Sequence, residues 1–146
     1  MAKGYPYYFG YSVFPFLGVY QSQDPQIAVL APGATGDIFS VVGKMIVRGG
    51  TVRCLYVPAT MRLHYFEIIV DGTVVHTIDP QEMLNRNITN FEDNIIIIRE
   101  YRSIQGYITV ALTSEISVLE SFILRVISAG ADILGIAGEL YYCNVQ

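Results

Sequence analysis

The sequence predicts an all-β fold: a two-sheet antiparallel sandwich of jelly-roll type, with an extended aromatic arm at its amino terminus and one short helical turn. Three observations predict it. Short apolar or alternating segments recur between clusters of turn formers. Only one stretch carries a full helix-start signal. The chain of 146 residues fits one domain, which at that size buries roughly two-thirds of its unfolded surface.

The arm comes first. Eight of the eighteen aromatic residues fall within the first twenty positions, Tyr5, Tyr7, Tyr8, Phe9, Tyr11, Phe14, Phe16 and Tyr20, broken by Gly4, Pro6, Gly10, Pro15 and Gly18. Their spacing keeps neither a helical nor a strand period, so the rings can be buried only against a preformed surface. We place the arm at residues 1–22 and the sandwich at 23–146, with the boundary near 21–25. The arm is assigned to a neighbouring subunit; folding back over its own core and a tyrosine-rich sugar or peptide site are the alternatives.

Residues 26–30 can form a short strand, and Ala31-Pro-Gly-Ala-Thr-Gly36 is a cluster of turn formers. Residues 37–48 read as one long strand, closed by Gly49-Gly50 into a hairpin with 51–57, which Pro58 ends. Asp71-Gly72 is the strongest turn signal in the chain. It joins strands at 61–70 and 73–78 through a type I′ turn, whose two central positions both need positive φ. Asp79-Pro80-Gln81-Glu82 supplies an N-cap acid, proline at the first helical position and Glu at N3, predicting a helical turn through about Asn85.

Residues 94–101, with four consecutive isoleucines, read as a buried strand, and 107–112 as another. The stretch 116–128 fits helical spacing through Ile116, Leu119, Phe122, Ile123 and Val126, and strand alternation almost as well. The strand reading is preferred because the chain around it is β; 129–132 then turns into a last strand at 133–145. Eight or nine strands with short turns point to a two-sheet sandwich or jelly roll.

Composition bounds the function. Hydrophobic residues make up 52% and charged residues 15%, against roughly 25% charged in ordinary soluble domains. Excess apolar surface is therefore expected to be buried between subunits. Nine basic residues scattered singly, in a chain of net charge -4, offer no patch for a phosphate backbone, so no nucleic-acid partner is expected. No secretory signal is visible, and the longest aliphatic run, at 95–98, is far too short to cross a bilayer, so no membrane role is expected. Cys54 and Cys143 are read as buried free thiols.

Candidates for chemistry are few. His64 and His76, with Glu67 nearby, suggest a cupin-like metal site. A regular two-residue hairpin sets His76 opposite Glu67 and His64 opposite Asp79, so the two imidazoles point to opposite sides of the sheet and cannot share one ion. No functional metal and no cofactor are expected. The same register gives one face Leu63, Tyr65, Glu67, Ile69, Val74, His76 and Ile78, and the other His64, Phe66, Ile68, Val70, Thr73, Val75 and Thr77. Both are largely apolar, so the hairpin is expected to be covered on both sides, and Tyr65, Ile69 and Val74 join the arm as candidate interface residues.

Ser114, Ser117, Ser121 and Ser128 lack the Gly-x-Ser-x-Gly elbow. Glu92 and Asp93 are adjacent and diverge on a strand, leaving no acid/base pair. Asn87-Ile-Thr89 matches a glycosylation sequon, a common chance match. The glycines show no phosphate-cradling spacing. No enzyme is expected from these readings.

The aromatic arm, the Asp71-Gly72 hairpin beside a dry sheet and the closing strand Glu139-Leu-Tyr-Tyr-Cys-Asn144 resemble the small jelly-roll structural proteins of virus particles. The resemblance covers most of the chain as a general style and includes no diagnostic motif. It implies a capsid, decoration or tail component in the virion, made in the host cytoplasm and assembling as a homo-oligomer, a trimer by preference, with other virion proteins. A carbohydrate-binding or adhesin-type β-sandwich module is the alternative, and a cupin-like enzyme ranks third.

Overall fold

The structure, a computed structural model, describes residues 17–61, 63–85 and 95–145. Among them, ten strands, one α-helical turn and a 3-10 turn at Pro58–Thr60 between β3 and β4 occur; the strands and the α-helical turn follow in the order β1 (Leu17–Gln23), β2 (Thr35–Val42), β3 (Met45–Tyr56), β4 (His64–Val70), β5 (Thr73–Ile78), α1 (Pro80–Asn85), β6 (Ile96–Arg102), β7 (Tyr107–Leu112), β8 (Ile116–Val118), β9 (Ser121–Ser128) and β10 (Ile133–Val145). They form two antiparallel sheets. Sheet A runs β1-β10-β3-β7-β6, with β8 added beside β3, and sheet B runs β2-β9-β4-β5.

Period-two alternation builds the core between the sheets. In β9, Phe122, Leu124, Val126 and Ser128 are buried while the residues between them are half-buried, as a strand with one inward face requires. Met45, Val47, Val52, Cys54 and Tyr56 of β3, Ile108, Val110 and Leu112 of β7, and Phe39, Phe66, Ile68, Phe122 and Leu124 of sheet B all belong to one buried cluster. The stretch 116–128 is extended, as expected, but Leu119 and Glu120 divide it into β8 and β9.

Three local expectations need correction. First, residues 26–30 form no strand; Leu30 makes a single bridge to Ile133. Second, Gly49-Gly50 is no hairpin. The chain turns earlier, at Gly43 (φ 128°), and crosses from sheet B into a β3 that runs unbroken through both glycines. Both look like turn residues, yet Gly50 serves close packing: a Cβ there would stand 2.9 Å from the Glu139 carbonyl oxygen and 3.3 Å from Leu140 Cα of β10. Third, 17–22, assigned to the arm, pair with β10 as most of β1. Tyr20 lies there, opposite Cys143; Tyr5, Tyr7, Tyr8, Phe9, Tyr11, Phe14 and Phe16 lie outside the described residues, as do Asn87, Glu92 and Asp93.

The two most local predictions hold. Asp71 and Gly72 adopt φ 51° and 81°, as a type I′ turn demands. Asp79 caps α1, its Oδ1 accepting from the backbone N–H of Gln81 at 2.9 Å and of Glu82 at 3.2 Å.

Candidate functional site

The outward face of sheet B gathers the described interface candidates. Ile69 pairs with Val74 on β5 and with Ile123 on β9, while Tyr65 pairs with Ile127. Cross-strand partners share a face, so Tyr65, Ile69 and Val74 stand on one side of the sheet. Between the two apolar groups runs a charged row. Glu67 is opposite Arg125, which is opposite Asp37, and the Arg125 guanidinium meets Asp37 through Nε at 2.6 Å and Nη2 at 3.4 Å. Ile69 is only 6% exposed, whereas Val74 and Val75, on the edge strand β5, are 47% and 49% exposed. The face is thus covered over β4 and open over β5.

The hairpin is not regular. Val70 pairs with Thr73 and Ile69 with Val74, but Ile68 then pairs with His76 and Glu67 with Thr77. Val75 is an extra residue on β5, a bulge that shifts everything beyond it by one. His76 therefore stands opposite Ile68, on the inward side with His64, Phe66 and Ile78, and Thr77 takes the outward place opposite Glu67. The predicted His76–Glu67 pairing, and with it the opposed histidines, is overturned. Among the described residues no three His, Cys, Asp or Glu side chains come together in a group that could hold a metal ion.

Asp71 does more than turn the chain. Its Oδ1 accepts from the successive backbone N–H groups of Leu119, Glu120 and Ser121 at 3.1, 2.6 and 3.1 Å, and its own N–H donates to the Ser121 carbonyl at 2.8 Å. The tip of the β4–β5 hairpin is thereby tied to the β8–β9 turn. Those N–H groups, Glu120 and Ser121 foremost, hold the carboxyl below its ordinary range.

His64 lies deeper, 3% exposed. Its ring sits 4.6 Å from that of Tyr56 and edge-on to Phe66 at 5.3 Å, and among the described residues neither ring nitrogen nor the Tyr56 hydroxyl has a partner with good hydrogen-bond geometry. Burial pushes the imidazole down to about 4 and the Cys54 thiol up to about 12. Cys54 and Cys143 are buried free thiols, as expected. Ser128 is structural: its hydroxyl donates to the Ala131 carbonyl at 2.7 Å and accepts from the Gly33 and Gly130 N–H groups.

Reading the sequence for charge missed a cluster on the outward face of sheet A. Arg53 of β3 and Arg102 of β6 both pair with Glu100, at 3.0 and 3.1 Å. Tyr107 donates to the same carboxylate at 3.3 Å, and the Arg53 guanidinium lies 4.7 Å above the Tyr107 ring. Arg53 and Arg102 are 49 positions apart in sequence, and only the shared neighbour β7 brings their strands together. The lone hint was the charged run Arg99-Glu100-Tyr101-Arg102.

Compared with known proteins, the chain matches no family model and no curated protein.

Proposed function

We propose that this protein is a structural assembly component, a self-associating β-sandwich that works as a virion capsid, decoration or tail subunit. The observation that carries the reading is the edge strand β5. Its sequence Thr-Val-Val-His-Thr-Ile holds no lysine, arginine, acid or proline, and its two valines are about half exposed. Isolated folded proteins usually blunt such an edge with charge, proline or a covering loop, because its unpaired N–H and C=O groups invite another strand. A second chain pairing along β5 would also bury the open half of the Tyr65, Ile69 and Val74 face.

The strand orders β1-β10-β3-β7 and β2-β9-β4-β5 support the finer jelly-roll reading, since two Greek keys folded together generate this alternation between sheets. The aromatic residues at 5–16 add a second apolar contact for the same assembly, and closed symmetry, a trimer by preference, satisfies every copy at once. Sedimentation velocity at micromolar concentration tests the proposal. A discrete oligomer that Val74→Lys and Val75→Lys dissociate is expected; a monomer over the whole concentration range overturns it.

A further inference from the structure

The arginine cluster on sheet A lies in a dish of about 750 Å³, lined by Thr51, Arg53, Arg99, Glu100, Arg102, Thr109, Ala137 and Gly138, within the size range of small-ligand sites. Two backbone features make it. Its floor is low because β10 presents Gly135 and Ala137 beside Leu55 and Arg53, so the long side chains of β3 and β6 rise around almost nothing. Gly138 is obligatory there, since a Cβ would collide with the Thr51 carbonyl oxygen. Its rim comes from a bulge in β6: Ile98 pairs with Val110, yet Glu100 pairs with Thr109, so Arg99 is the extra residue. Bulges re-aim side chains and are common beside binding sites, and this one turns Glu100 outward next to Arg99.

The chemistry of the lining is specific. Glu100 is held by Arg53, Arg102 and Tyr107, which uses three of about four acceptor directions of a carboxylate. Arg53 Nε donates to Thr109 Oγ1 at 3.1 Å, which leaves that hydroxyl free to donate. Arg99 has no ion-pair or hydrogen-bond partner among the described residues, and Arg53 and Arg102 keep most of their N–H donors unused. Three guanidinium groups and one carboxylate line the dish, and with Glu139, opposite Thr51 on the same face, the neighbourhood still carries one net positive charge on a chain of net charge -4.

We propose that this dish binds an acidic saccharide, one sugar unit carrying a carboxylate or sulfate together with free hydroxyls. The oxyanion sits on Arg99 and the free donors of Arg102, where a guanidinium offers a forked, charge-assisted pair of bonds. The hydroxyls meet the remaining acceptor direction of Glu100 and the Thr51 and Thr109 side chains. A bare inorganic anion is a poorer fit, because it leaves the free acceptor direction of Glu100 and the Thr51 and Thr109 hydroxyls without partners. A neutral sugar is poorer too, because it leaves Arg99 without a partner. The dish lies on sheet A, whereas β5 is the edge of sheet B.

Amide NMR titration of the isotope-labelled full chain tests this, with the methyl glycoside of N-acetylneuraminic acid, glucuronic acid, sulfated galactose, plain galactose and inorganic sulfate as probes. Saturable shifts around Arg53, Arg99 and Arg102 with at least one acidic sugar, and none with galactose, are expected; which acid responds identifies the carboxylate or the sulfate form. Arg99→Ala should weaken that binding about tenfold with an unchanged melting temperature, as loss of a charge-assisted bond implies. Ala137→Leu, which fills the floor without altering charge, should abolish it. The proposal fails if no acidic probe gives saturable shifts, if galactose or inorganic sulfate binds as well as the acidic sugar, or if Ala137→Leu binds like the parent chain.

Discussion

The two edges of sheet B are finished in opposite ways. Along β2, the last residue of β1 and the segment after it supply what a further strand would. Gln23 uses both ends of its amide on one residue, Nε2 donating to the Ser40 carbonyl and Oε1 accepting from the Ser40 N–H, each at 3.2 Å. Gln26 adds its backbone N–H to the Ile38 carbonyl at 2.8 Å. Along β5, among the described residues, no side chain or loop bonds to the outer backbone groups. One edge is closed from within the chain; the other is open among the described residues. An open edge combined with exposed valines costs a solitary molecule solubility, so its persistence beside a carefully closed one favours assembly across β5.

Acid should act most strongly on the open-edged half. The folded His64 titrates at about 4 rather than 6.5, so between those values the unfolded chain binds the extra proton. The His64 contribution should be fully present above pH 6.5 and fall by roughly 3 kcal/mol as pH drops to 4. Denaturant titrations across this window should show that slope, and His64→Leu should flatten it. An unchanged slope in the variant would assign the acid sensitivity to other groups.

Breaking the open edge comes next. A lysine at Val75 must be desolvated to enter a strand-to-strand contact, and should weaken association by roughly 2 kcal/mol, about thirtyfold in the dissociation constant. The melting temperature of the separated subunit should hardly move, because the residue is half exposed. If association survives, β5 is not the contact.

Opening the closed edge is a smaller change. Gln23→Ala removes both bonds to Ser40 and should cost about 1–2 kcal/mol, with faster hydrogen exchange at the Ser40 amide than at Leu124 in the strand beside it. If the variant also forms larger aggregates, the amide clasp is what keeps β2 from pairing.

The mildest effect is expected at the hairpin tip. Asp71→Asn keeps a residue that tolerates positive φ but removes the charge facing three N–H groups, so melting should shift down modestly. The folded carboxyl titrates below its ordinary value. Its stabilisation is therefore present above the unfolded pKa and is lost as pH falls through the folded one; the variant should lose less than the parent chain in that acid range.

What was legible in the sequence follows from the range of the interaction. Asp71-Gly72 declared its turn because positive φ is a property of those two residues alone. Asp79-Pro80 declared a helix start because its bonds span only three positions. The alternation of 121–128 marked an inward face. The dish was not legible: Arg53, Arg99 and Arg102 meet only once β7 lies between β3 and β6, and no local pattern encodes which strands become neighbours.

By itself, then, the sequence determined the all-β character, the turn at 71–72, the capped helix at 80 and most of the residues that fill the core, all consequences of local dihedral preference and of burying apolar side chains. Tertiary structure alone decided that Gly49-Gly50 lies inside a strand and not in a turn, that a bulge at Val75 sends His76 inward, and that Arg53 and Arg102 share one carboxylate. The physical reason is register. A single extra residue reverses every face beyond it at little local cost, and only the packing of whole strands selects where that residue goes.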